Sequence, residues 1–262
     1  MSAAPTCHGL LSGPASTAHY AGPMLELRQG WLLEAWRTTL QGLGVEADAR
    51  TLIGGPGVEN LAIELGAPVA DATGTLVSLG AEAGPLTESA VPSATALPTD
   101  SFDAVLMLSA WERPAEVGPV VREAARLVVP GGSVWIGERN GPALVHSTPA
   151  THPSALMYIA YPEVGEAIEA ASQPPSLLGM EMVRAGMRPV TSDDIELPIA
   201  VLADLPEYIE AVRLGMWPGV ELLSDDQLDA VLATLERDPV APVSFPFIEH
   251  RPWVMVRGVQ PG

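Results

Sequence analysis

One stretch near the middle of the chain constrains the fold more than any other. It begins with the uninterrupted apolar run Phe102–Leu108, continues with helical periodicity over residues 117–128, and returns to an apolar, β-prone run over 133–137. A buried strand, a helix and a second buried strand in this order form a right-handed crossover, so the two strands are parallel. We therefore predict an α/β fold, with the Pro-Gly-Gly sequence at 130–132 as a tight reversal before the second strand.

The N-terminal half adds further elements of the same kind. Apolar residues recur at helical spacing over 24–40 and stop at a Gly-Leu-Gly sequence, which predicts a helix that ends near Gly42. Residues 51–57 indicate a short strand that breaks into glycines. A helix over 58–65 and strands over 67–70 and 89–92 are predicted to follow. Residues 1–21 lack any periodicity, and we expect a flexible arm or flap there.

The C-terminal half is predicted to be richer in helices. Helices are expected over residues 163–171, 177–185, 205–214 and 225–237, and strands over 188–197 and 252–258. We interpret residues 22–262 as a single domain, with a covering insertion around 138–187 and a helical insertion around 203–238.

Composition excludes several classes of function. With 32 acidic and 13 basic residues the formal net charge is −19, so the chain would repel nucleic acids and anionic membrane surfaces. Every basic residue is Arg, and the absence of Lys removes Schiff-base chemistry. The single cysteine, Cys7, cannot form an internal disulfide, and no cluster has metal-ligand spacing. No apolar run reaches the ~18 residues of a membrane span, so we expect a cytoplasmic protein with no metal, nucleic-acid or membrane partner.

The motifs around the central crossover resemble one enzyme family. Ala-Leu-Pro-Thr-Asp-Ser-Phe-Asp-Ala-Val at 96–105, Arg-Glu at 122–123 and Pro-Gly-Gly at 130–132 occur in the order seen in class I S-adenosylmethionine-dependent methyltransferases that act on small molecules. The resemblance runs from about residue 24 to 138 and, more weakly, through the last strand. It implies a Rossmann-like, doubly wound, mostly parallel seven-stranded sheet with one antiparallel C-terminal strand and helices on both faces.

The resemblance also implies where a methyl donor would bind. In the family a glycine-rich turn after the first strand approaches the donor, and Gly55 and Gly57 occupy two of its positions without a Cβ atom. Asp71, followed by Ala72, is similar to the acidic residue that holds the ribose hydroxyls. The other expected contacts to the donor are Ser93, Ala94 and Leu108.

Three positions depart from the family pattern. Ile53 stands where the family has an acidic residue, Glu59 where it has a third glycine, and Ser93 where many members have the Asp that faces adenine. Each lost hydrogen bond would weaken binding by ~1–3 kcal/mol. We therefore expect S-adenosylmethionine as the cofactor, bound weakly or not at all.

The acceptor side has its own candidate residues. His146 and His152 in the long loop, and Glu138 after the fifth strand, are candidates for the catalytic base that deprotonates an acceptor. Predicted contacts to the acceptor are Tyr20, Trp111, Glu112 and Tyr158.

Two functions fit this pattern. The first is methyl transfer to a small apolar acceptor that is uncharged or cationic. The second is a methyltransferase-like protein that has lost methylation and serves as a binding or scaffold subunit, or as a cyclase-type enzyme. In both, the expected partner is a small molecule, and assembly into a homodimer is left open.

Overall fold

The fold is known from a computed structural model that describes residues 23–55, 58, 76–79, 84–85, 94–109, 117–147, 152–237 and 246–262. The chain divides into two compact units. The sheet unit comprises Ala21–Arg139, Gln173–Ala200 and His250–Gly262, and the helical unit contains Asn140–Ser172 and Val201–Glu249. The interpretation as one domain with two insertions stays a prediction.

The strands follow the order β3-β2-β1-β4-β5-β7-β6 across the sheet. Five of them, β1, β2, β4, β5 and β7, are paired with a neighbour over four or more described residues. Their bounds are β1 (Thr51–Gly54), β2 (Leu76–Leu79), β3 (Gly84–Pro85), β4 (Phe102–Leu108), β5 (Val128–Arg139), β6 (Arg188–Leu202) and β7 (Phe247–Val259).

The centre of the sheet is parallel, as the crossover predicts. β1 pairs in parallel with β4, and β4 pairs in parallel with β5. β7 is antiparallel to β5, so the α/β class and the antiparallel C-terminal strand are both confirmed. The expectation of only one antiparallel strand is wrong, because β2 also runs antiparallel to β1. Antiparallel pairing requires no crossover between the two strands.

The Pro-Gly-Gly segment is a bulge within β5, and the predicted tight reversal is wrong. Phe102 aligns with Val128, but Ala104 aligns with Ser133, so β5 contains extra residues opposite β4. Gly131 has a φ of +84°, a backbone conformation that suits glycine and lets the chain bulge without turning back. Its amide donates to the carbonyl of Gln260, the residue after β7, which holds the bulge in place.

The helices confirm the predicted pattern closely. Six of them fall within about two residues of the predicted ranges. The bounds are α1 (Pro23–Gly42), α2 (Val117–Leu127), α3 (Ala155–Ala160), α4 (Pro162–Ala171), α5 (Pro175–Arg184), α6 (Leu205–Arg213) and α7 (Asp225–Arg237). A π-helical turn spans Ala143–Ser147 and a short 3-10 helix spans Val220–Leu222. The predicted elements over 58–65, 67–70 and 89–92 lie outside the described residues, apart from the buried Val58.

The core of the sheet unit forms where α2 and α5 pack against the central strands. Gly118 on α2 allows close approach, because a Cβ atom there would lie 2.6 Å from the Oε2 atom of Glu181 on α5. Phe102 is buried at the start of β4, as its place in the motif predicts. Other members of this core include Leu52, Val105, Val121, Leu127, Val134, Ile136, Leu178, Met182 and Val256.

The helical unit has a separate aromatic centre. Tyr208 on α6 and Trp217 are both fully buried, and the indole nitrogen of Trp217 donates to the Tyr208 hydroxyl at 3.0 Å. Their rings meet edge to face with centroids 5.9 Å apart. On α7, four apolar residues at helical spacing are buried, which is the face that the sequence predicts: Leu228, Val231, Leu232 and Leu235.

Glu123 on α2 fixes the segment that precedes β4. Its Oε1 atom accepts hydrogen bonds from the amide and the hydroxyl of Thr95, at 2.8 and 2.6 Å, and from Arg126 at 2.6 Å. The Arg126 guanidinium, helped by Thr95, holds the pKa of Glu123 below its ordinary value.

Replacing Glu123 with Gln is expected to lower the free energy of unfolding by about 1–2 kcal/mol near neutral pH. Because the pKa is lower in the folded state, this stabilisation is present above the unfolded value of about 4.5 and is lost as pH falls through the folded value. Urea unfolding near pH 7 and near pH 3 measures both effects. The matched control is Glu34→Gln, which removes an exposed ion pair with Arg37 at the same helical spacing and should change stability by less than about 0.5 kcal/mol. A Glu123→Gln loss that is equal at both pH values would contradict this account.

Candidate functional site

The carboxyl ends of the parallel strands meet at one edge of the sheet, the place where open parallel sheets bind ligands. β1 leads into Gly55, β4 ends at Leu108 and leads into Ser109, and β5 carries Glu138 near its end. The Ser109 amide donates to the carbonyl of Gly137 at 2.8 Å and so extends the ladder between β4 and β5. We call Gly55, Leu108, Ser109 and Glu138 the carboxyl edge.

Gly55 is required here by the protein's own backbone. It is buried with a φ of +115°, and a Cβ atom added to it would overlap the carbonyl oxygen of Leu108 and lie 2.9 Å from the Leu108 carbonyl carbon. The sequence interpretation was that a missing Cβ leaves space for a ligand. In the structure that space belongs to Leu108, so the physical reason for this glycine is the crossing of two backbones.

Ile53, near the end of β1, is a core residue. The side chain is completely buried, and it aligns with Leu106 on β4 and Val77 on β2. This position therefore contributes to the core. Its side chain offers no polar atom to a ligand.

Ser109 and Glu138 form a polar pair at that edge. The Ser109 hydroxyl donates to the Oε1 atom of Glu138 at 3.0 Å, and the same oxygen accepts the amide of Arg139 at 3.2 Å. Ser109 has a φ of +42°, which is uncommon for a residue other than glycine and often marks a functional position. Glu138 is a predicted site residue. Ser109 was missed because nothing in the sequence signals a left-handed serine after a buried strand.

Ala94 is the only predicted donor contact besides Gly55 and Leu108 within the described residues. Its side chain is exposed, and it precedes Thr95, which is bound to Glu123 on α2. No described contact joins Ala94 to the carboxyl edge. Seven predicted site residues lie outside the described part of the chain and stay predictions: Tyr20, Gly57, Asp71, Ala72, Ser93, Trp111 and Glu112.

His152, in the helical unit, has both ring nitrogens close to protein groups. Its Nδ1 atom accepts the Ser154 amide at 3.2 Å and lies 2.7 Å from the Ser154 hydroxyl. Because a backbone amide only donates, the ring proton belongs on Nε2, which lies 3.4 Å from a carboxylate oxygen of the fully buried Glu249. Ser154 is also completely buried. This arrangement fixes the start of α3, and a role for His152 as a base stays a prediction.

His146 and Tyr158 come together in a groove of the helical unit. The groove lies against α3, α4 and the π-helical turn, and Glu166 and Glu169 on α4 also line it. The Nε2 atom of His146 lies 2.6 Å from the Oε1 atom of Glu169, and the Tyr158 hydroxyl donates to the carbonyl of Pro218 at 3.3 Å. The sequence analysis missed both glutamates, although their spacing of three on a predicted helix places them on one face.

Comparison with known proteins finds similar solved structures but no matching family profile or curated protein. Solved structures that match this chain include several methyltransferases, some of them with S-adenosylmethionine or S-adenosylhomocysteine bound.

Three of these structures illustrate the range. Phosphoethanolamine N-methyltransferase 2 of Haemonchus contortus, solved with phosphomonomethylethanolamine and S-adenosylhomocysteine, is 14% identical with a TM-score of 0.31, and the match covers 65% of this chain and 36% of that one. The cyclase SpnF is 15% identical with a TM-score of 0.31, over 65% of this chain and 54% of that one. A geranyl diphosphate methyltransferase bound to S-adenosylmethionine is 13% identical with a TM-score of 0.29, over 64% and 55%. At these scores the likenesses assign neither a family nor an activity to this chain.

The described residues show neither a metal site nor a membrane-spanning helix. Within them, no group of three or more His, Cys, Asp or Glu side chains is placed to hold a metal ion. Among the helices that the structure describes, none combines the length and the apolar character needed to cross a bilayer.

Proposed function

We propose that the chain binds S-adenosylmethionine at the carboxyl edge of the sheet and transfers its methyl group to a small-molecule acceptor. The observation that carries this proposal is the position, in the fold, of the sequence motif that resembles methyltransferases. Its Ser-Phe-Asp sequence opens β4, its Arg-Glu pair lies on α2, and β4 and β5 run in parallel beside β1. The ends of these three strands supply the crevice at which such a fold binds its ligand.

The described residues fit a cationic donor at one point of this edge. Glu138 is a carboxylate whose orientation is set by the Ser109 hydroxyl and the Arg139 amide. A fixed negative charge favours a ligand that carries a sulfonium and an ammonium group. Because Ile53 is buried and apolar, we assign the electrostatic part of donor recognition to Glu138.

In methyl transfer the protein has to align the acceptor with the donor and, for some acceptors, remove a proton. When bound, S-adenosylmethionine supplies a methyl group already activated by its sulfonium sulfur. The residues of this chain then have to exclude water, position the acceptor and accept a proton if an oxygen or nitrogen is methylated. Glu138 is half-buried at the strand end and is our candidate for that proton acceptor.

A second function is supported by one specific observation. Ile53 has no polar atom in its side chain and no exposure, so the end of β1 lacks the acidic contact that the family uses. A protein that keeps the fold, has lost methylation and acts as a binding subunit or cyclase-type enzyme would show this change. It would bind neither the donor nor its product.

Glu138→Gln is expected to weaken S-adenosylmethionine binding by about tenfold while weakening S-adenosylhomocysteine binding by less than about threefold. The reason is that only the first ligand has a positively charged sulfur, and the substitution removes a charge while keeping the shape of the side chain. Isothermal titration of both ligands into the native protein and the variant measures the two ratios. Ser109→Ala, which removes the hydroxyl that orients Glu138, should give a smaller loss with the same preference.

The control is Glu46→Gln, an exposed carboxylate before β1 that should leave both affinities unchanged. Absence of measurable heat with both ligands would refute the methyltransferase proposal and favour the second function. Equal weakening of the two ligands would refute the assignment of Glu138 to the sulfonium charge.

A further inference from the structure

The groove of the helical unit has the dimensions of a small-molecule site. Its cavity volume is about 380 Å³, within the ~300–1,000 Å³ typical of ligand pockets. The apolar part of its lining comes from three consecutive elements of the chain: Val145, Ala155, Tyr158, Ile159 and Pro162. Ile159 leaves 68% of its surface exposed, so an apolar ligand in the groove would have a large side chain to cover.

The polar groups of the groove give it a negative charge. Glu166 and Glu169 are the carboxylates among its described lining residues, and the Oε1 atom of Glu169 also lies 2.6 Å from the Nε2 atom of His146. No arginine is among the described lining residues, so the groove favours a cation.

The lining suits an organic cation better than a metal ion. Among the described residues no set of three metal-binding side chains is close enough to hold a metal. Tyr158 lines the groove but is largely buried, and its hydroxyl donates to the carbonyl of Pro218. The apolar walls accommodate the carbon skeleton of an organic cation, which a metal ion does not have.

We infer that this groove binds a small organic ammonium ion with an apolar body. Glu166 and Glu169 supply the charge, and the apolar lining contacts the body of the ligand. This inference does not rest on the proposed methyl transfer, because every residue that carries it lies in the helical unit.

Benzyltrimethylammonium chloride is the probe, titrated into the full chain at low ionic strength and without any methyl donor. We expect saturable binding that is at least about tenfold tighter than that of neutral benzyl alcohol, with no binding of benzoate. The readout is isothermal titration, and raising the salt concentration should weaken the binding. Because no donor is present, failure of this experiment would not contradict the proposed methyl transfer. Likewise, failure of the methyl donor to bind would not contradict binding in the groove.

The combined substitution Glu166→Gln and Glu169→Gln should lower the affinity for the ammonium probe by about tenfold or more. Both side chains reach solvent, so the fold should be retained, and thermal unfolding monitors it. Glu163→Gln is the matched control, since it lies on the same helix and is exposed but does not line the groove; we expect less than a twofold change. Benzoate binding as tight as that of the ammonium probe, or an unchanged affinity in the double variant, would overturn the inference. So would displacement of the probe by calcium chloride at equal concentration.

Discussion

Replacing Gly55 with Ala is expected to destabilise the protein by about 4 kcal/mol or more, the largest effect that we expect from adding a methyl group to any described glycine of the sheet unit. Two costs combine. A φ of +115° is a conformation that only glycine adopts readily, worth ~1–3 kcal/mol. The added Cβ atom would also overlap the backbone carbonyl of Leu108, and backbone at the end of a central strand cannot move aside as a flexible side chain can.

Gly44→Ala separates these two costs. Gly44 has a φ of +78°, but a Cβ atom added there would meet nothing within 4 Å. It should therefore show only the backbone penalty, reduced by the lower entropy of the unfolded chain, with a net loss of about 1 kcal/mol.

Urea unfolding of the two variants, followed by circular dichroism, is the measurement. A Gly55→Ala protein that cannot be purified folded, beside a folded Gly44→Ala protein, agrees with the expected result. If both variants lose the same stability, the contact with Leu108 does not determine the residue at position 55. If Gly55→Ala keeps full stability and loses only donor affinity, the glycine serves a ligand, as the sequence interpretation proposed.

The best-predicted part of the fold is the part in which the local pattern of apolar residues agrees with burial. The strand Phe102–Leu108 and the helix Val117–Leu127 were predicted to within one residue, because an unbroken apolar run and a regular helical stripe each have one structural interpretation. The buried face of α7 was predicted for the same reason. Both are properties of consecutive residues, which a single sequence contains.

The errors concern features that depend on residues distant in sequence. Pro-Gly-Gly sequences favour a reversal locally, but in this chain the segment is held by Gln260, which is distant in sequence and follows the neighbouring strand β7, and the segment remains within β5. The pairing of Ser109 with Glu138 requires two strand ends to meet, and its geometry requires a left-handed serine. Neither property has a local signature.

The candidate site shows the same difference between local features and contacts that are distant in sequence. Glu138, His146 and Tyr158 were identified from residue type and position, and the structure places each in a polar edge or a groove. The side chains that contact them were not predicted: Ser109 for Glu138 and Glu169 for His146. A sequence shows which side chains are polar or ionisable, whereas their pairing is decided by the fold; the roles predicted for Glu138, His146 and Tyr158 stay predictions.

Introducing an acid at position 53, Ile53→Asp, is expected to unfold the protein or destabilise it by about 4–5 kcal/mol. It deletes a completely buried aliphatic side chain and places a carboxylate in the sheet between residues of β4 and β2. Ile53→Val should cost only about 1 kcal/mol, since it removes one methylene group and adds no charge. Ile53→Asn isolates the charge, because its side chain has nearly the same shape as that of Asp and no ionisable group.

The pH dependence of these variants identifies the cause. Burial would raise the pKa of the introduced carboxyl group, so the folded state would hold its proton to higher pH than the unfolded state does. Stability is then greater below the unfolded pKa and falls as pH rises through the folded one. We expect the Asp variant to approach the Asn variant near pH 3, below the ~3.9 of an unfolded Asp, and to fall below it near pH 8 in urea unfolding.

The result at position 53 also decides how this chain could recognise a methyl donor. If the Asp variant unfolds as expected, the family's acidic contact cannot exist at the end of this β1, and donor recognition must depend on Glu138 or on residues outside the described part of the chain. If the variant instead stays within about 1 kcal/mol of the native protein and binds S-adenosylmethionine more tightly, then position 53 faces the ligand. The buried strand end inferred here would be wrong, and one substitution would account for the weak donor binding that the sequence predicts.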